Sequence, residues 1–358
     1  MQNISLLLGA GFSMPAGFPS ASVVNERVKL TRNEDFVIGS NGTVDYRRNP
    51  KFITHSPYSY RYNELLSAIT YYEIKEGNID YEEFYDYLAH EIKDDVGFKK
   101  YYESAYDSQK IDGQFLTDLY SQILEKYIVS DNKTNTLKKY NAFIKWIYTS
   151  VKDGKMIHIH TLNHDLLLED LLGRENISDG FILDDSSYYI EHHQQKISLQ
   201  QFKDSYTKDI RLYKLHGSFD QYVCVDEGIC DSVKISKGYN YTRIWDIYGR
   251  HFMDNYHPDF LTGKTAKKKE YNKPLYSTLL CHFETNVSNS DVFVIIGYGG
   301  KDEGINEIIK RRPGKMAIIS PSINDDFIVE MRNAHWEVDI IKKGIESVTM
   351  EDFKNIVL

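Results

Sequence analysis

Polar side chains that can do acid–base chemistry follow two separate apolar segments of this chain. Asn163 and Asp165 come at the end of the first segment, residues 155–162, and His216 ends the second, residues 210–216. The carboxyl ends of parallel strands meet at one edge of a sheet, so we expect these three side chains to lie close together. A carboxylate accepts hydrogen bonds, an amide donates and accepts them, and a histidine can take up a proton near neutral pH. The set therefore suits a reaction in which a positioned water or hydroxyl group is deprotonated.

A turn rich in glycine near the N-terminus predicts a nucleotide site. Residues 5–19 read SLLLGAGFSMPAGFP, an apolar strand that runs into a turn at Gly9 and Gly11. Glycine lets the backbone turn sharply and approach a diphosphate, and the start of the following helix offers unpaired amides and a positive dipole end. Ser13 adds a hydroxyl donor. The fingerprint of dehydrogenases needs a third glycine where this chain has Met14, and an acidic residue about 20 positions further on is also missing, so a dehydrogenase site is disfavoured.

Four motifs occur in the same order as in the sirtuin-like family, which the chain resembles. The first is the GAGxSxxAGxP opening, matched by Gly9, Ala10, Gly11, Ser13, Ala16, Gly17 and Pro19. The second is TxNxD at residues 161–165, and the third is a strand that ends in HG at residues 216–217. The fourth, residues 292–306, resembles the strand, GYS-type turn and DxxIN segment of the prokaryotic branch. The resemblance implies a Rossmann-like parallel sheet that binds NAD.

The resemblance also implies roles for individual residues. Asp165 would accept from the carboxamide of nicotinamide, Asn163 would orient a water or the ribose, and His216 would take a proton from a ribose hydroxyl or the nucleophile. Residues expected to contact NAD are Gly9, Ala10, Gly11, Ser13, Pro19, Asn163, Asp165, His216, Gly217, Gly297, Tyr298 and Asp302. The last three are expected on the adenosine side or in its turn. Structural roles stay open as well, because Asp165 can cap the next helix and a histidine before glycine can be a turn residue.

The group that attacks the ribose decides the activity: an acyl-lysine oxygen gives deacylation, and water gives NAD hydrolysis. Three departures from deacetylating sirtuins favour water. Ser-Ala-Ser at residues 20–22 stands where those enzymes have an arginine after a phenylalanine, the paired zinc cysteines are absent, and a helical insertion fills the first crossover. In these features the chain resembles NAD-consuming effectors of prokaryotic antiphage systems. We therefore predict an NAD+ hydrolase that releases nicotinamide and ADP-ribose, with an NAD-dependent protein deacylase and a noncatalytic module that senses NAD or ADP-ribose as alternatives.

The same resemblance implies partners. In such antiphage systems a trigger releases the hydrolase, and loss of NAD halts the infected cell. The fold and its insertions take up the whole length of this chain. We therefore expect the trigger to act through a separate sensor subunit, such as a HerA-type ATPase or an Argonaute-like protein, or through assembly of a homo-oligomer.

Composition narrows the location and the ligands. The chain has 358 residues, of which 41% are hydrophobic, and a formal charge of −9. No apolar run approaches the ~18 residues of a membrane span and no signal peptide is evident, so we expect a cytoplasmic protein without a membrane partner. The negative charge disfavours direct nucleic-acid binding, which depends on neutralising phosphates. A cluster of lysines is interpreted as a solvated loop: Lys264, Lys267, Lys268, Lys269 and Lys273.

Cysteine and histidine usage argues against a bound metal. The three cysteines are Cys224, Cys230 and Cys281, an odd number that suits a reducing compartment rather than a disulfide framework. No structural zinc is expected, because the first two have no second pair. Closely spaced histidines lack a carboxylate at matching spacing, so they do not predict a metal site either: His158, His160, His164, His192 and His193.

Periodicity indicates which elements position these residues. Apolar residues recur at helical steps in segments 62–75, 80–95, 112–129 and 135–151. Strands are then predicted near 155–162, 210–216, 291–297, 315–320 and 336–341. Helices between and after them are predicted near 164–172, 303–312, 323–334 and 349–356. Alternation of this kind indicates a parallel sheet covered on both faces.

We therefore predict an α/β fold, a Rossmann-like parallel sheet with helices on both faces, built from residues 1–30 and 152–358. Residues 31–151 form a mainly helical insertion, which starts with an irregular excursion at 33–60. Insertions at 182–206 and 220–275 form a small lobe that closes over the ligand. The 28 tyrosines include many at helical spacings between residues 58 and 148, where they are expected to pack helices and to supply some assembly surface.

Overall fold

A computed structural model of the chain describes residues 3–38, 44–46, 59–103, 111–130, 136–183, 189–192, 195–226, 229–234, 258–322 and 324–357. Strands β1 to β5 are Asn3–Leu8, Phe36–Ile38, Val44–Tyr46, Met156–Thr161 and Ile177–Ser178. Strands β6 to β10 are Gly180–Ile182, Tyr189–His192, Gln195–Ser198, Gln200–Ser205 and Ile210–Lys214. Strands β11 to β15 are Gln221–Asp226, Ile229–Lys234, Val292–Ile296, Lys315–Ile319 and Glu337–Ile341.

The helices of the described residues follow the same chain order. Helices α1 to α5 are Ala10–Ser13, Ala21–Lys29, Ser59–Glu76, Tyr81–His90 and Val96–Glu103. Helices α6 to α10 are Gly113–Tyr127, Thr136–Lys139, Asn141–Lys152, Leu167–Leu172 and Thr265–Glu270. Helices α11 to α14 are Pro274–Ser288, Glu303–Lys310, Asp325–Asn333 and Met350–Val357. Several begin after a side chain that accepts hydrogen bonds from the first amides, as is typical of an N-cap: Ser20, Asp80, Asp112, Asp302 and Asn324.

Seven of the described strands form one parallel sheet in the order β15-β14-β13-β1-β4-β10-β5. Apart from the two-residue edge strand β5, the chain runs outward from β1 to β4 and β10, then returns to the other side of β1 for β13, β14 and β15. This is the 3-2-1-4-5-6 order of the doubly wound dinucleotide-binding fold. The predicted α/β class with a Rossmann-like parallel sheet is confirmed.

Central strands are buried on both faces, which explains why they read as continuous apolar runs. In β1, Leu6 and Leu8 face a core that α8, α9 and α14 complete. Leu7, between them, faces a second core that α11, α12 and α13 complete. Side chains alternate along a strand, so each strand serves both layers of helices.

Helices α3 to α6, here called the helical region, lie along the chain between β1 and β4, two neighbouring strands of the parallel sheet. They share a separate core with α2, and its buried tyrosines are Tyr62, Tyr72, Tyr87, Tyr102, Tyr120 and Tyr127. The prediction that tyrosines pack these helices together is confirmed. Helix α8, which follows the short helix α7, instead packs its Phe143 and Trp146 against the sheet.

A second sheet is antiparallel and has the order β11-β12-β9-β6. Strands β9, β11 and β12 lie within the bounds predicted for the small lobe, and β6 begins two residues before them. The hairpin predicted near Gln221 is confirmed as β11 and β12. Residues 235–257 of that lobe lie outside the described residues. The prediction of an irregular excursion at 33–60 is wrong in part, because β2 and β3 pair as a short antiparallel hairpin there; residues 39–43 and 47–58 are outside the described residues.

The loop predicted for the lysine cluster is wrong over residues 265–270, whereas the predicted solvent exposure is confirmed for Lys264, Lys268, Lys269 and Lys273. Residues 265–270 form helix α10, and two of its lysines pair with carboxylates of other elements. Lys267 reaches Glu82 of α4 at 2.5 Å, and Lys268 reaches Glu303 of α12 at 2.8 Å. The partners of Lys267 and Lys268 are remote in sequence, so the lysine run alone did not predict these ion pairs.

A buried group of charges joins the two sheets. Lys234 on β12 lies 2.6 Å from Asp179 and 3.7 Å from Asp220. Asp220 also pairs with Arg174 at 3.0 Å, and the ammonium group of Lys234 lies over the ring of Phe181.

In the part of the chain that the structure describes, we find no helix with the length and hydropathy that crossing a membrane requires.

Candidate functional site

Four neighbouring strands, β13, β1, β4 and β10, end at the same edge of the parallel sheet. Leu8 pairs with Ile296 on one side and with Thr161 on the other, and Thr161 pairs in turn with Lys214. Asn163 and His216 therefore each lie two residues beyond the same register pair. The strand order reverses beside β1, and in doubly wound sheets ligands bind in the crevice at such a switch point.

The glycine turn after β1 packs against the backbone of the turn after β13. The amide of Gly9 donates to the carbonyl of Ile296 at 3.0 Å, and that of Gly11 to the carbonyl of Gly297 at 2.9 Å. A Cβ atom on Gly9 would lie 2.7 Å from the Cα of Tyr298. The sequence predicted unpaired amides here, but those of Gly9 and Gly11 are committed within the protein. Ala10 between them is exposed, and as the first helical residue it has no partner for its amide within the helix.

Replacing Gly297 by alanine is expected to destabilise the fold by at least about 1–2 kcal/mol, because L-residues disfavour the left-handed region. Its φ is +63°, and a Cβ atom would lie 2.3 Å from the amide nitrogen of Phe12 and 2.4 Å from the carbonyl carbon of Gly11. Denaturant unfolding of the variant measures the loss. Gly299→Ala is the matched control, since a Cβ atom there meets nothing within 4 Å. Equal stability of the two variants would contradict the close packing of the turns.

Asn163 connects the second strand end to the glycine turn. Its Nδ2 donates to the carbonyl of Gly9 at 3.0 Å and to Oγ of Ser13 at 2.9 Å, and its backbone amide donates to Oγ1 of Thr161 at 3.1 Å. Both hydrogens of the side-chain amide are then committed, so the group it offers to a ligand is Oδ1, an acceptor. Ser13 accepts from Asn163 and keeps its own hydroxyl hydrogen to donate.

Asp165 has the structural role that the sequence left open. One carboxylate oxygen accepts from the amide of Leu167 at 3.0 Å and so satisfies the first amide of α9, although the N-cap position itself is Leu166. The helix begins at residue 167 rather than at the predicted 164. The residue is 7% exposed, and its carbonyl accepts from the buried ammonium group of Lys214. The second carboxylate oxygen remains the group through which Asp165 can meet a ligand.

His216 belongs to a three-membered polar cluster. Its Nε2 lies 2.8 Å from the hydroxyl of Tyr271 and 3.3 Å from Oδ2 of Asp302, and the same hydroxyl lies 3.3 Å from that carboxylate oxygen. The side chain of His216 is 5% exposed. The sequence assigned Asp302 to the adenosine side or to a turn; in the structure it occupies the turn, caps α12 through Ile305 and faces His216. Tyr271 was not predicted.

Electrostatics of the cluster favour a neutral imidazole beside an ionised carboxylate. Burial lowers the pKa of His216, its hydrogen bond to the carboxylate of Asp302 raises the pKa, and the charge of Lys267 lowers it further. Burial alone would raise the pKa of Asp302, but His216, the amide of Ile305 and Lys267 hold it below its ordinary range. Burial and the charge of Asp302 raise the pKa of Tyr271, so its phenol is a neutral donor. A neutral histidine held by a carboxylate can act as a general base.

The turn after β13 is held by its own polar side chains. The hydroxyl of Tyr298 lies 2.8 Å from Oδ1 of Asn306 and 3.1 Å from the amide of Asp302. Nδ2 of Asn306 donates to the carbonyl of Gly300 at 2.8 Å. The residues predicted near the adenosine thus form a compact turn held by internal hydrogen bonds. Pro19 lies in the connection that leads into α2.

Backbone also fills the space that Gly217 leaves. Its φ is +83°, and a Cβ atom would lie 2.2 Å from the carbonyl oxygen of Asp259. Phe260 forms an isolated bridge with Gly217, and the amide of Leu261 donates to the carbonyl of His216 at 2.7 Å. Residues 259–261 therefore run directly across the end of β10.

A second histidine adjoins the cluster. The ring of His164 lies 6.3 Å from that of His216 and 5.0 Å from that of Phe260, centroid to centroid. Its Nδ1 is buried without a hydrogen-bond partner in the described part of the chain. Burial lowers its pKa, as does the neighbouring His216. From the sequence, His164 was weighed only as a possible metal ligand. Its place between Asn163 and Asp165 could have indicated that it lies at the candidate site.

The other histidines do not form a metal centre among the residues that the structure describes, where no group of three potential ligands is found. His158 and His160 pack against Tyr213, with ring centroids 6.1 and 4.6 Å away. The side chain of His192 and all of His193 lie outside the described part. Cys281 is an exposed free thiol, and Val225 pairs with Cys230 across β11 and β12.

Comparison with known proteins finds likeness only among solved structures. No family model and no curated protein matches the sequence. A structure described as bearing on the mechanism and regulation of Sir2 enzymes is similar over 99% of this chain and 92% of its own, with 13% identity and a TM-score of 0.42. A Sir2 homologue in complex with NAD matches over 99% and 89%, with 12% identity and a TM-score of 0.42. A mutant Sir2 homologue with 2′-O-acetyl ADP-ribose matches over 99% and 91%, with 12% identity and a TM-score of 0.41. Likeness of this degree identifies neither a family nor an activity.

Proposed function

We propose that this protein binds NAD+ at the crevice beside β1 and hydrolyses its nicotinamide–ribose bond. One observation carries the proposal: a glycine turn, an asparagine that grips it and a histidine–carboxylate pair converge at the switch point of a doubly wound sheet. A turn of this kind suits a diphosphate, and the polar pair suits a reaction at the far end of the same ligand.

The chemistry needs a grip on the leaving group and a deprotonated water. The bond between C1′ of the ribose and the pyridinium nitrogen breaks, its electron pair goes to nicotinamide, and a water oxygen bonds to C1′. His216 takes a proton from that water and passes it to solvent, which balances the reaction as NAD+ and water giving nicotinamide, ADP-ribose and H+. Oδ1 of Asn163 orients the water or the ribose, and Asp165 accepts from the carboxamide of nicotinamide. In this proposal NAD is the substrate, and no structural zinc takes part.

The alternatives differ in what they need around His216. A protein deacylase requires a groove for an extended peptide beside this histidine, whereas its side chain is 5% exposed and Tyr271 covers Nε2. A noncatalytic sensor of NAD or ADP-ribose requires no base, so the neutral histidine beside an ionised carboxylate favours an enzyme.

The purified protein is expected to release nicotinamide from NAD+, alone or with the separate partner that we propose as its trigger. Chromatography of nicotinamide and ADP-ribose measures the release, and calorimetry measures NAD binding. Binding without release in any condition would contradict hydrolysis and favour the sensor. Release only in the presence of an acylated peptide would favour the deacylase.

The motifs also support a cellular role as an antiphage effector. We propose that a phage trigger, relayed by a HerA-type ATPase, an Argonaute-like subunit or homo-oligomer assembly, activates hydrolysis in the cytoplasm. NAD would then fall in infected cells that carry the protein and stay constant in uninfected ones.

A further inference from the structure

Tyr271 is the nearest polar neighbour of the proposed base. It follows α10 directly, and its hydroxyl lies 2.8 Å from Nε2 of His216. The hydroxyl and Asp302 approach the same ring nitrogen, at 2.8 and 3.3 Å, and lie 3.3 Å from each other. Three groups therefore share one hydrogen-bonded corner of the site.

The protons of this corner can be counted. An ionised Asp302 only accepts, and the phenol of Tyr271 has one hydrogen to donate. If the phenol donates to Asp302, its oxygen accepts from Nε2–H of His216, and every group is satisfied. The neutral imidazole then carries its hydrogen on Nε2 and presents Nδ1 as the acceptor. In the described part of the chain, Nδ1 has no hydrogen-bond partner, as a base awaiting water requires.

Helix α10 holds Tyr271 in this place by contacts with α4 of the helical region. Lys267 pairs with Glu82 at 2.5 Å, and both side chains are largely buried, 12% and 22% exposed. The amide of Lys264 donates to Asp86 at 2.8 Å, and its ammonium group lies 2.5 Å from Glu83. The short helix is thus attached to the helical region on one side and to the site on the other.

We propose that Tyr271 is a positioning residue that fixes His216 in the Nε2–H tautomer, and that the helical region holds it there through the Lys267–Glu82 pair. The proposal rests on the proposed function only for its consequence in catalysis. The tautomer itself is a property of the protein without substrate. Through this contact the helical region contributes to the site, although Glu82 precedes Lys267 by 185 residues in the sequence.

Tyr271→Phe tests the first half by spectroscopy and kinetics. We expect 15N NMR of histidine-labelled protein to show His216 as the Nε2–H form in the parent and as a tautomer mixture in the variant, with His216→Ala assigning the signal. We expect kcat for nicotinamide release to fall about tenfold or more and KM to change little, since a hydrogen bond to a charged cluster is lost. An unchanged tautomer would overturn the proposal even if NAD hydrolysis failed. A rise in turnover would also overturn it, because Tyr271 would then obstruct the base.

A charge swap tests whether the Lys267–Glu82 pair holds Tyr271 in its position. Lys267→Glu and Glu82→Lys should each broaden the tautomer signal and lower kcat, and the two together should restore both. The swap separates position from charge, because Lys267 also acts on His216 directly and stays reversed in the double variant. If only Lys267→Glu matters and the double variant is not rescued, the contact with the helical region has no part in positioning. The half-exposed pair Lys29–Glu73, treated in the same way, is the matched control.

Discussion

His216→Ala is expected to lower nicotinamide release by about 10²–10⁴-fold, the usual contribution of a positioned general base. The loss should fall on kcat, because the imidazole acts on the attacking water rather than on binding of the diphosphate. Asn163→Ala should likewise abolish turnover, since it removes the acceptor Oδ1 and also the grip on Gly9 and Ser13. Initial rates over a range of NAD+ concentrations measure both effects.

The pH profile adds a signature of the base. A base works when deprotonated, and burial lowers the pKa of His216 below its ordinary value of 6.5. Activity should therefore persist at pH 6.5 and fall only as the pH drops through that lowered pKa. A loss of activity on acidification that is already complete at pH 6.5 would contradict His216 as the base.

The chain offers a matched control for this variant. His282 also pairs with a carboxylate, Asp204, at 2.7 Å, but it lies on α11 beside Tyr206 and Tyr213. His282→Ala removes the same chemical group from a histidine–carboxylate pair and should leave turnover unchanged. Equal losses in both variants would mean that the effect of His216→Ala is one of folding.

Lys234→Met is expected to cost about 3–5 kcal/mol of the free energy of unfolding, the usual result of removing one partner from a buried ion pair. Lys234 is 2% exposed and lies between Asp179 and Asp220. Loss of its ammonium group leaves the negative charges of both carboxylates less compensated, and Asp220 is itself only 8% exposed. Because this group joins the antiparallel sheet to the parallel one, denaturant unfolding followed by tryptophan fluorescence should show the loss in the whole transition.

Two further variants identify the cause. Asp179→Asn combined with Lys234→Met should lose less than the sum of the two single losses, since partners in one network are coupled. Lys310→Met breaks pairs with Glu307 and Glu330 on the surface and should leave the unfolding transition nearly unchanged. If Lys234→Met matched Lys310→Met, the buried charges would not hold the two sheets together.

The sequence by itself determined the central strands of the parallel sheet and the polar residues that follow their ends. A run such as residues 292–296 is apolar at every position because both faces of a central parallel strand are buried, and that is visible without neighbours. Asn163, Asp165 and His216 could be assigned to strand ends for the same reason, since they follow such runs directly. Both hypotheses for Asp165, a ligand contact and a bond to the start of the next helix, could be stated from the sequence, because helix capping is a local pattern.

Only the tertiary structure decided which groups meet. The glycines after β1 looked like space for a ligand, yet part of that space belongs to Gly297, almost the whole chain away. Lys267 looked solvated because its partner Glu82 on α4 lies 185 residues earlier, and no sequence pattern pointed to Tyr271. Periodicity and capping depend on neighbours along the chain, whereas the His216 corner depends on how α4, α10 and α12 pack, which no local pattern encodes.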